Sequence, residues 1–204
     1  EDNFWDQDKE PDFYKWTLDL KVVRTPGEKA VYCSAGANLV GGVVARAARR
    51  SPQTLFQRLL AEPLGIKRYY LPLSPAGDYT MTGSARFEPR DFMKFGQLHL
   101  NGGTWNGRRV YTAEWSRRAT SQRVDFTAAN RTYQYGYLWW LKNYSYKGRS
   151  VRAYYASGMG GQIVMTIPEL DLVMAFYAGS YNDAGGSKAT NVYVPEYILP
   201  ALNN

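Results

Sequence analysis

One histidine, His99, and one cysteine, Cys33, are all that 204 residues provide of the two side chains most used for metal binding. Zinc sites take their ligands mainly from histidine and cysteine, so neither a His-rich nor a Cys-based zinc site can be assembled from this chain. His99 lies within the run Phe95–Leu100, a setting that suits a structural histidine better than a general base. A Ser-His-Asp triad would have to use this poorly placed residue. There is no Gly-x-Ser-x-Gly elbow and no phosphate-binding glycine loop ending in Gly-Lys. What remains is chemistry that needs neither histidine nor metal, such as acyl transfer by a serine with lysine and tyrosine as its base. No serine of the chain has a lysine three positions on; Ser145 has Lys147 two positions on, which is the wrong spacing.

The elements that must position any site follow from periodicity and punctuation. Residues 1–15 are acidic and aromatic without a clear period and read as a loop. Thr25-Pro26-Gly27 marks a turn. Over residues 35–50, Leu39, Val40, Val43, Val44 and Ala47 recur at helical spacing, and Gly41-Gly42 within that helix points to close backbone packing. Ser51 is placed to cap a short helix from Pro52 to Leu60. A long loop over residues 66–84 precedes a helix from Pro89 to Leu100, stopped by Asn101-Gly102-Gly103. Asn106-Gly107 is a tight turn, and Thr112 caps a helix over Ala113–Ala119. The pattern then changes to strands: Tyr133–Lys142, Arg149–Ala156, Gln162–Ile167 and Leu172–Tyr177, the last two joined by Pro168–Asp171. A glycine-rich turn at Ala184–Gly186 leads to a closing helix over residues 188–202. Helices, then antiparallel strands, then one helix is an α+β order. It divides at residue 132: a mostly helical subdomain over 1–132, and strands with a C-terminal helix over 133–204.

Composition bounds the partners. With 45% hydrophobic and 21% charged residues the chain is globular. The net charge of +7 is scattered, with no long basic run and no nucleic-acid-binding motif, so it reads as a solvated surface. No apolar stretch is long enough to span a bilayer, and no signal peptide is visible. A single cysteine allows no intrachain disulfide.

Three stretches, in order, carry a resemblance. The first is Pro26-Gly27 through Tyr32-Cys33-Ser34 to Asn38-Leu39-Val40-Gly41. The second runs from Phe92 to Arg109, with Phe95-Gly96-Gln97-Leu98 and Asn101-Gly102-Gly103, followed by Tyr111-Thr112-Ala113-Glu114-Trp115. The third is Ala156-Ser157-Gly158-Met159-Gly160-Gly161-Gln162, leading into a strand, Pro168-Glu169 and a second strand. Together they resemble the C-terminal part of a serine hydrolase of the β-lactamase and penicillin-binding-protein superfamily, from about Thr25 to the end. The resemblance implies an α+β, DD-peptidase-like fold, with an antiparallel sheet flanked by helices plus a mostly helical subdomain. The family's Ser-x-x-Lys, which supplies the nucleophile, is expected upstream in a segment absent from this chain, so the N-terminal part of the fold is the chain's first expected partner.

Roles carry over residue by residue. Tyr32 matches the family's tyrosine, which acts as a base or proton relay; a free tyrosine titrates near pH 10, so a neighbouring lysine is needed to favour its phenolate. Ser34 stands where Tyr-x-Asn has its asparagine, and is nearly as well suited to cap the following helix. Met159-Gly160-Gly161 stands in the place of Lys-Thr-Gly, as a substrate-binding segment. Methionine there removes the lysine that would bind a substrate carboxylate. The N–H of Gln162 is then expected to be one oxyanion donor, with the other on the missing serine. Trp5, Tyr135, Trp139 and Trp140 are pocket-lining or core aromatics, and Cys33 is expected to be a small buried filler. The implied activity is cleavage of an ester or amide through an acyl-enzyme, without metal or organic cofactor. It resembles carboxylesterases or 6-aminohexanoate-dimer hydrolases more than β-lactamases or D-amino-acid peptidases, which Ser34 and Met159 disfavour. A catalytically inactive binding protein of the same fold is the remaining alternative. The sequence leaves the compartment open; family members are often exported, which leans toward a bacterial periplasmic or extracellular place.

Overall fold

A computed structural model describes residues 4–128, 131–181 and 187–202. The chain forms two compact units, Glu1–Phe87 and Glu88–Asn204. The boundary differs from the change of pattern at residue 132 because helix α6 (Pro89–Leu100) packs on the sheet and so belongs with the strands.

In the first unit, short helices α1 (Phe4–Gln7) and α2 (Phe13–Asp19) occupy the stretch expected as a loop. Asp12 starts α2, its carboxylate accepting from the N–H of Tyr14 (3.0 Å) and Lys15 (2.9 Å), while Phe13 is buried. Helix α3 (Ser34–Ala48) ends on Arg49 in the left-handed region. The Ser51 hydroxyl accepts from Thr54 N–H to cap α4 (Pro52–Phe56), which continues through a wide π-turn, Gln57–Ala61, into α5 (Glu62–Leu64). The glycine pair of α3 is a packing device. A Cβ on Gly41 would lie 2.6 Å from Met81 Cγ, and one on Gly42 would lie 3.1 Å from the Tyr14 ring. A two-stranded ribbon, β1 (Tyr69–Tyr70) with β2 (Arg86–Phe87), closes the unit over Phe56.

The second unit is built on one antiparallel sheet of six strands in the order β10-β9-β8-β7-β6-β5. These are β5 (Val124–Ala128), β6 (Arg131–Tyr135), β7 (Trp140–Tyr146), β8 (Arg149–Gly158), β9 (Gln162–Ile167) and β10 (Leu172–Phe176). The expected strand over Tyr133–Lys142 is in fact two, broken by a hairpin at Gly136–Trp139, and β5 went unforeseen. Alternation sorts the side chains. Val151, Ala153 and Tyr155 of β8, with Ile163, Met165 and Ile167 of β9, enter a core shared with Ala189, Val194 and Leu199. Those last three come from the closing helix, a π-helical stretch Ala189–Ile198 followed by α8 (Leu199–Ala201). Lys142 Nζ donates to Thr190 O (2.9 Å) and to the Asn191 side chain, and Tyr144 OH donates to Thr190 O at 2.8 Å, which fixes the start of that helix.

Helix α6 packs on β9 and β10. Gly96 makes the approach possible, since a Cβ there would fall 2.9 Å from both Thr166 Oγ1 and Val173 Cγ1. With both faces covered, β9 reads as a continuous apolar run. Between α6 and α7 (Ala113–Ala119) lies a ribbon, β3 (Thr104–Trp105) and β4 (Arg108–Arg109). It turns at Asn106 and Gly107, both with positive φ. Thr112 caps α7 through Trp115 N–H at 3.1 Å. The Ala184–Gly186 turn lies outside the described residues. Among the described residues no helix is long and apolar enough to cross a membrane.

Candidate active site

In the first unit the candidate residues sit where an extended segment enters α3. Cys33, not Ser34, is the N-cap: its backbone is extended (φ −146°, ψ 110°) and its Sγ accepts from Gly36 N–H at 3.4 Å. Cys33 is exposed, which corrects the expectation of a buried filler, because a capping sulfur must face the open first turn. Ser34 is the first helical residue and is buried, at 8% exposure, and Tyr32 is half-buried.

One helical turn beyond Ser34, Asn38 is fully enclosed. Its Nδ2 donates to Gln7 Oε1 at 2.6 Å and its Oδ1 accepts from Met81 N–H at 2.8 Å. Gln7, also enclosed, donates from Nε2 to Phe13 O (3.2 Å) and Thr17 Oγ1 (2.7 Å). This polar network ties α1, α2, α3 and the loop at Met81 together. The sequence marked Asn38 only as part of Asn-Leu-x-Gly, and nothing marked Gln7, whose partner lies 31 residues away.

In the second unit Met159, Gly160, Gly161 and Gln162 come together as the turn between β8 and β9. Gly158 pairs with Gln162, and Gly161 N–H donates to Gly158 O at 3.2 Å. Gly160 and Gly161 have φ of +85° and +93°, a region costly for other residues. Gly160 is also hemmed in, since a Cβ would fall 2.6 Å from the Tyr181 ring. Two ties fasten this turn to the segment after β10. Ser180 N–H donates to Gly160 O at 3.1 Å. The Gln162 amide donates from Nε2 to Ala178 O and accepts at Oε1 from Ala178 N–H (3.3 Å). The Gln162 side chain, which the sequence reading left without a role, is therefore the staple of the turn. A turn tied in this way can hold backbone N–H groups in fixed directions, as stabilisation of a developing oxyanion requires.

His99 has the structural role expected of it. It packs against Tyr111, Trp139 and Tyr154, with ring centroids at 5.2, 4.8 and 6.1 Å. Ser116 Oγ donates to His99 O (2.8 Å), so the 3.2 Å contact from Nδ1 to Ser116 Oγ requires a proton on Nδ1. Burial pushes the pKa of His99 down to about 4. Trp139 belongs to this cluster, while Tyr135 and Trp140 pack with Phe126 and Tyr133. These three aromatics are packed into ring clusters. The side chain of Trp5 lies outside the described residues.

Solved structures share this architecture. A protein from Bacillus anthracis described as a candidate 6-aminohexanoate-dimer hydrolase superimposes with a TM-score of 0.79 at 17% identity, over 94% of this chain and 49% of its own. A β-lactamase from Mycobacterium bovis gives 0.70 at 16% identity, over 89% and 67%. A penicillin-binding protein homologue from Caulobacter crescentus gives 0.67 at 16%, over 84% and 62%. The fold is thus that of β-lactamases and penicillin-binding protein homologues, and the chain spans about half the length of the Bacillus protein. The sequence matches the Beta-lactamase family over residues 1–194, and the chain belongs to that family. A search of curated protein sequences gives no significant match.

Proposed function

We propose that this chain supplies the C-terminal part of a serine acyl hydrolase that cleaves an uncharged ester or amide through an acyl-enzyme. The nucleophile belongs to a Ser-x-x-Lys in the preceding segment of the same protein. The observation that carries the reading is Met159. It stands 63% exposed in the β8–β9 turn, and the sequence resemblance matches it with the lysine of the carboxylate-binding branches of the family. A thioether offers no charge to a carboxylate. A substrate met by this turn is therefore better uncharged at that end, which favours esters and amides over β-lactams and D-amino-acid peptides.

In this reaction the Tyr32 phenolate, favoured by the upstream lysine, takes the proton of the attacking serine and returns it to the leaving group. The carbonyl oxygen gathers charge in the tetrahedral intermediate, and the Gln162 N–H is one of its two donors. Ser34 offers a hydroxyl that both donates to and accepts from the substrate.

The test uses the protein with its complete N-terminal part. A fluorophosphonate probe is expected to add once, on the serine of an upstream Ser-x-x-Lys, by intact mass and peptide mapping. Tyr32→Phe is expected to lower kcat/KM for a 4-nitrophenyl ester by about 100- to 10,000-fold, the usual loss of a general base. No adduct on the folded full-length protein would overturn the reading in favour of a catalytically inactive binding protein. Rapid hydrolysis of a chromogenic cephalosporin would move the substrate class to β-lactams.

A further inference from the structure

At the end of the sheet where the β8–β9 turn lies, and unexplained by the chemistry above, is a group of exposed apolar side chains. Trp115 of α7 and Tyr137 of the β6–β7 hairpin stack with ring centroids 5.7 Å apart and planes 9° from parallel. The Arg123 guanidinium covers Tyr137 at 5.0 Å. Both rings remain substantially exposed, Trp115 at 46% and Tyr137 at 41%. The next residue, Leu138, is 51% exposed and has φ +62°. A left-handed conformation is unfavourable for leucine, and an apolar side chain gains nothing from water there.

The hairpin that presents Leu138 is firmly built. Gly136 N–H donates to Trp139 O at 2.8 Å, and Tyr137 N–H donates to Ala119 O at 2.9 Å. Gly136 lies so close to the Ala119 and Ser121 carbonyls that no Cβ fits. The strain at Leu138 is thus imposed by a rigid surround, as happens where a side chain has a use.

Register sets this hairpin beside the candidate turn. Trp140 pairs with Tyr155 in the β7–β8 ladder. Strand β7 starts at Trp140 and β8 ends at Gly158, so the β6–β7 hairpin and the β8–β9 turn open at the same end of the sheet. Leu138 and Met159 therefore lie in turns that lead off adjacent strands at one end of the sheet, where neighbouring strands run about 4.8 Å apart. Tyr137 precedes Leu138 in the same hairpin and holds the Trp115 ring by stacking.

We propose that Met159, Leu138, Tyr137 and Trp115 form a subsite for an extended, uncharged apolar group on the substrate, such as a medium-length alkyl chain. The inference rests on the serine hydrolase reading and adds a substrate class to it. Continuity with the Met159 turn selects the occupant: a group attached to the scissile bond reaches this rim first, and Met159 offers it apolar surface without charge. Apolar contact at such a rim discriminates by chain length, at roughly 10-fold or more for a well-placed methylene.

The experiment compares 4-nitrophenyl acetate with 4-nitrophenyl octanoate on the full-length protein. The readout is the ratio of the two kcat/KM values, which is insensitive to the fraction folded. The parent is expected to prefer octanoate. Leu138→Asn keeps a residue that tolerates the left-handed region, and Trp115→Ser removes the stack; each is expected to lower the ratio about 10-fold. Tyr197→Ser, an exposed aromatic on the closing helix, is the control and is expected to leave the ratio as it is. If both rim variants keep the parent's ratio while the fluorophosphonate adduct forms, the subsite is wrong and the hydrolase reading stands. If the parent prefers acetate, the subsite is likewise wrong. If the folded parent gives neither adduct nor turnover, the hydrolase reading fails and the subsite fails with it.

Discussion

The two units hold their candidate residues by different means. In the first, the segment that carries Tyr32 and Ser34 depends on side chains: a cysteine caps the helix, and an enclosed Asn38–Gln7 pair links α3 to α1, α2 and the Met81 backbone. In the second, Met159–Gln162 joins two long strands of a six-stranded ladder, and side chains only fasten its far side. A ladder spreads support over many backbone bonds, whose existence does not depend on which residues supply them. A buried side-chain network concentrates support in a few atoms. Removing one leaves its partners desolvated and unpaired, at about 1–3 kcal/mol for each. The first unit should therefore fail at single positions, and the second should yield gradually.

The largest effect expected from this contrast is at Asn38. Asn38→Leu keeps much of the volume but strands Gln7 Oε1 and Met81 N–H. A loss of about 4 kcal/mol follows from two unpaired buried groups. Chemical denaturation measures it, and proteolysis should begin in the first unit. An effect within about 1 kcal/mol would mean that water enters and replaces the amide, and the contrast between the units would lose its basis.

One weak point of the second unit is set by pH. His99 is held neutral among Tyr111, Trp139 and Tyr154, whose hydroxyls and indole carry no charge in acid, and Ser116 is its polar partner. Its folded pKa of about 4 lies below the unfolded value near 6.5. Between these values the unfolded chain binds more protons than the folded one, so stability falls as the pH is lowered from 6.5 to 4. It is fully present above 6.5. The loss at pH 4 is at most about 3 kcal/mol. Measured as the difference between the parent and His99→Gln in unfolding free energy against pH, the slope should be present only in the parent. Equal slopes would show that His99 is already protonated in the folded state.

Much of the second unit was legible in the sequence because its signals are local. Helices α6 and α7 begin and end where Pro89, Thr112 and the glycine stop at 102–103 put them. Strands β9 and β10 follow from apolar runs on either side of Pro168–Asp171. The Gly136–Trp139 hairpin was missed because its turn is built from Tyr137 and Leu138, neither a turn former; the left-handed Leu138 is enforced by α7 and not by its own preference. The segment before Tyr32 was hidden for the opposite reason. Its short helices are marginal alone, and the Gln7 amide oxygen finds its partner in Asn38, far along the chain. The candidate residues of each unit were visible as motif positions. What the sequence did not display was the hardware around them: the Cys33 cap, the Asn38 network and the Gln162 staple.

That staple permits the subtlest test. Gln162→Ala removes both side-chain bonds to Ala178 and leaves the Gly158–Gln162 pairing in place. The amide is near solvent, so water replaces its bonds, and the cost in global stability should stay within about 1 kcal/mol. The turn itself should loosen, because its tie to the segment after β10 is reduced to the Ser180–Gly160 bond. Amide exchange over residues 159–162 should then rise, with the rest of the sheet unchanged. If the Gln162 N–H serves a developing oxyanion, kcat should fall about 10-fold with KM little altered, since a misdirected donor weakens the transition state more than the bound ester. Unchanged exchange at the turn would show that the ladder alone fixes it, and the contrast between the two units would then be sharper than the side-chain ties suggest.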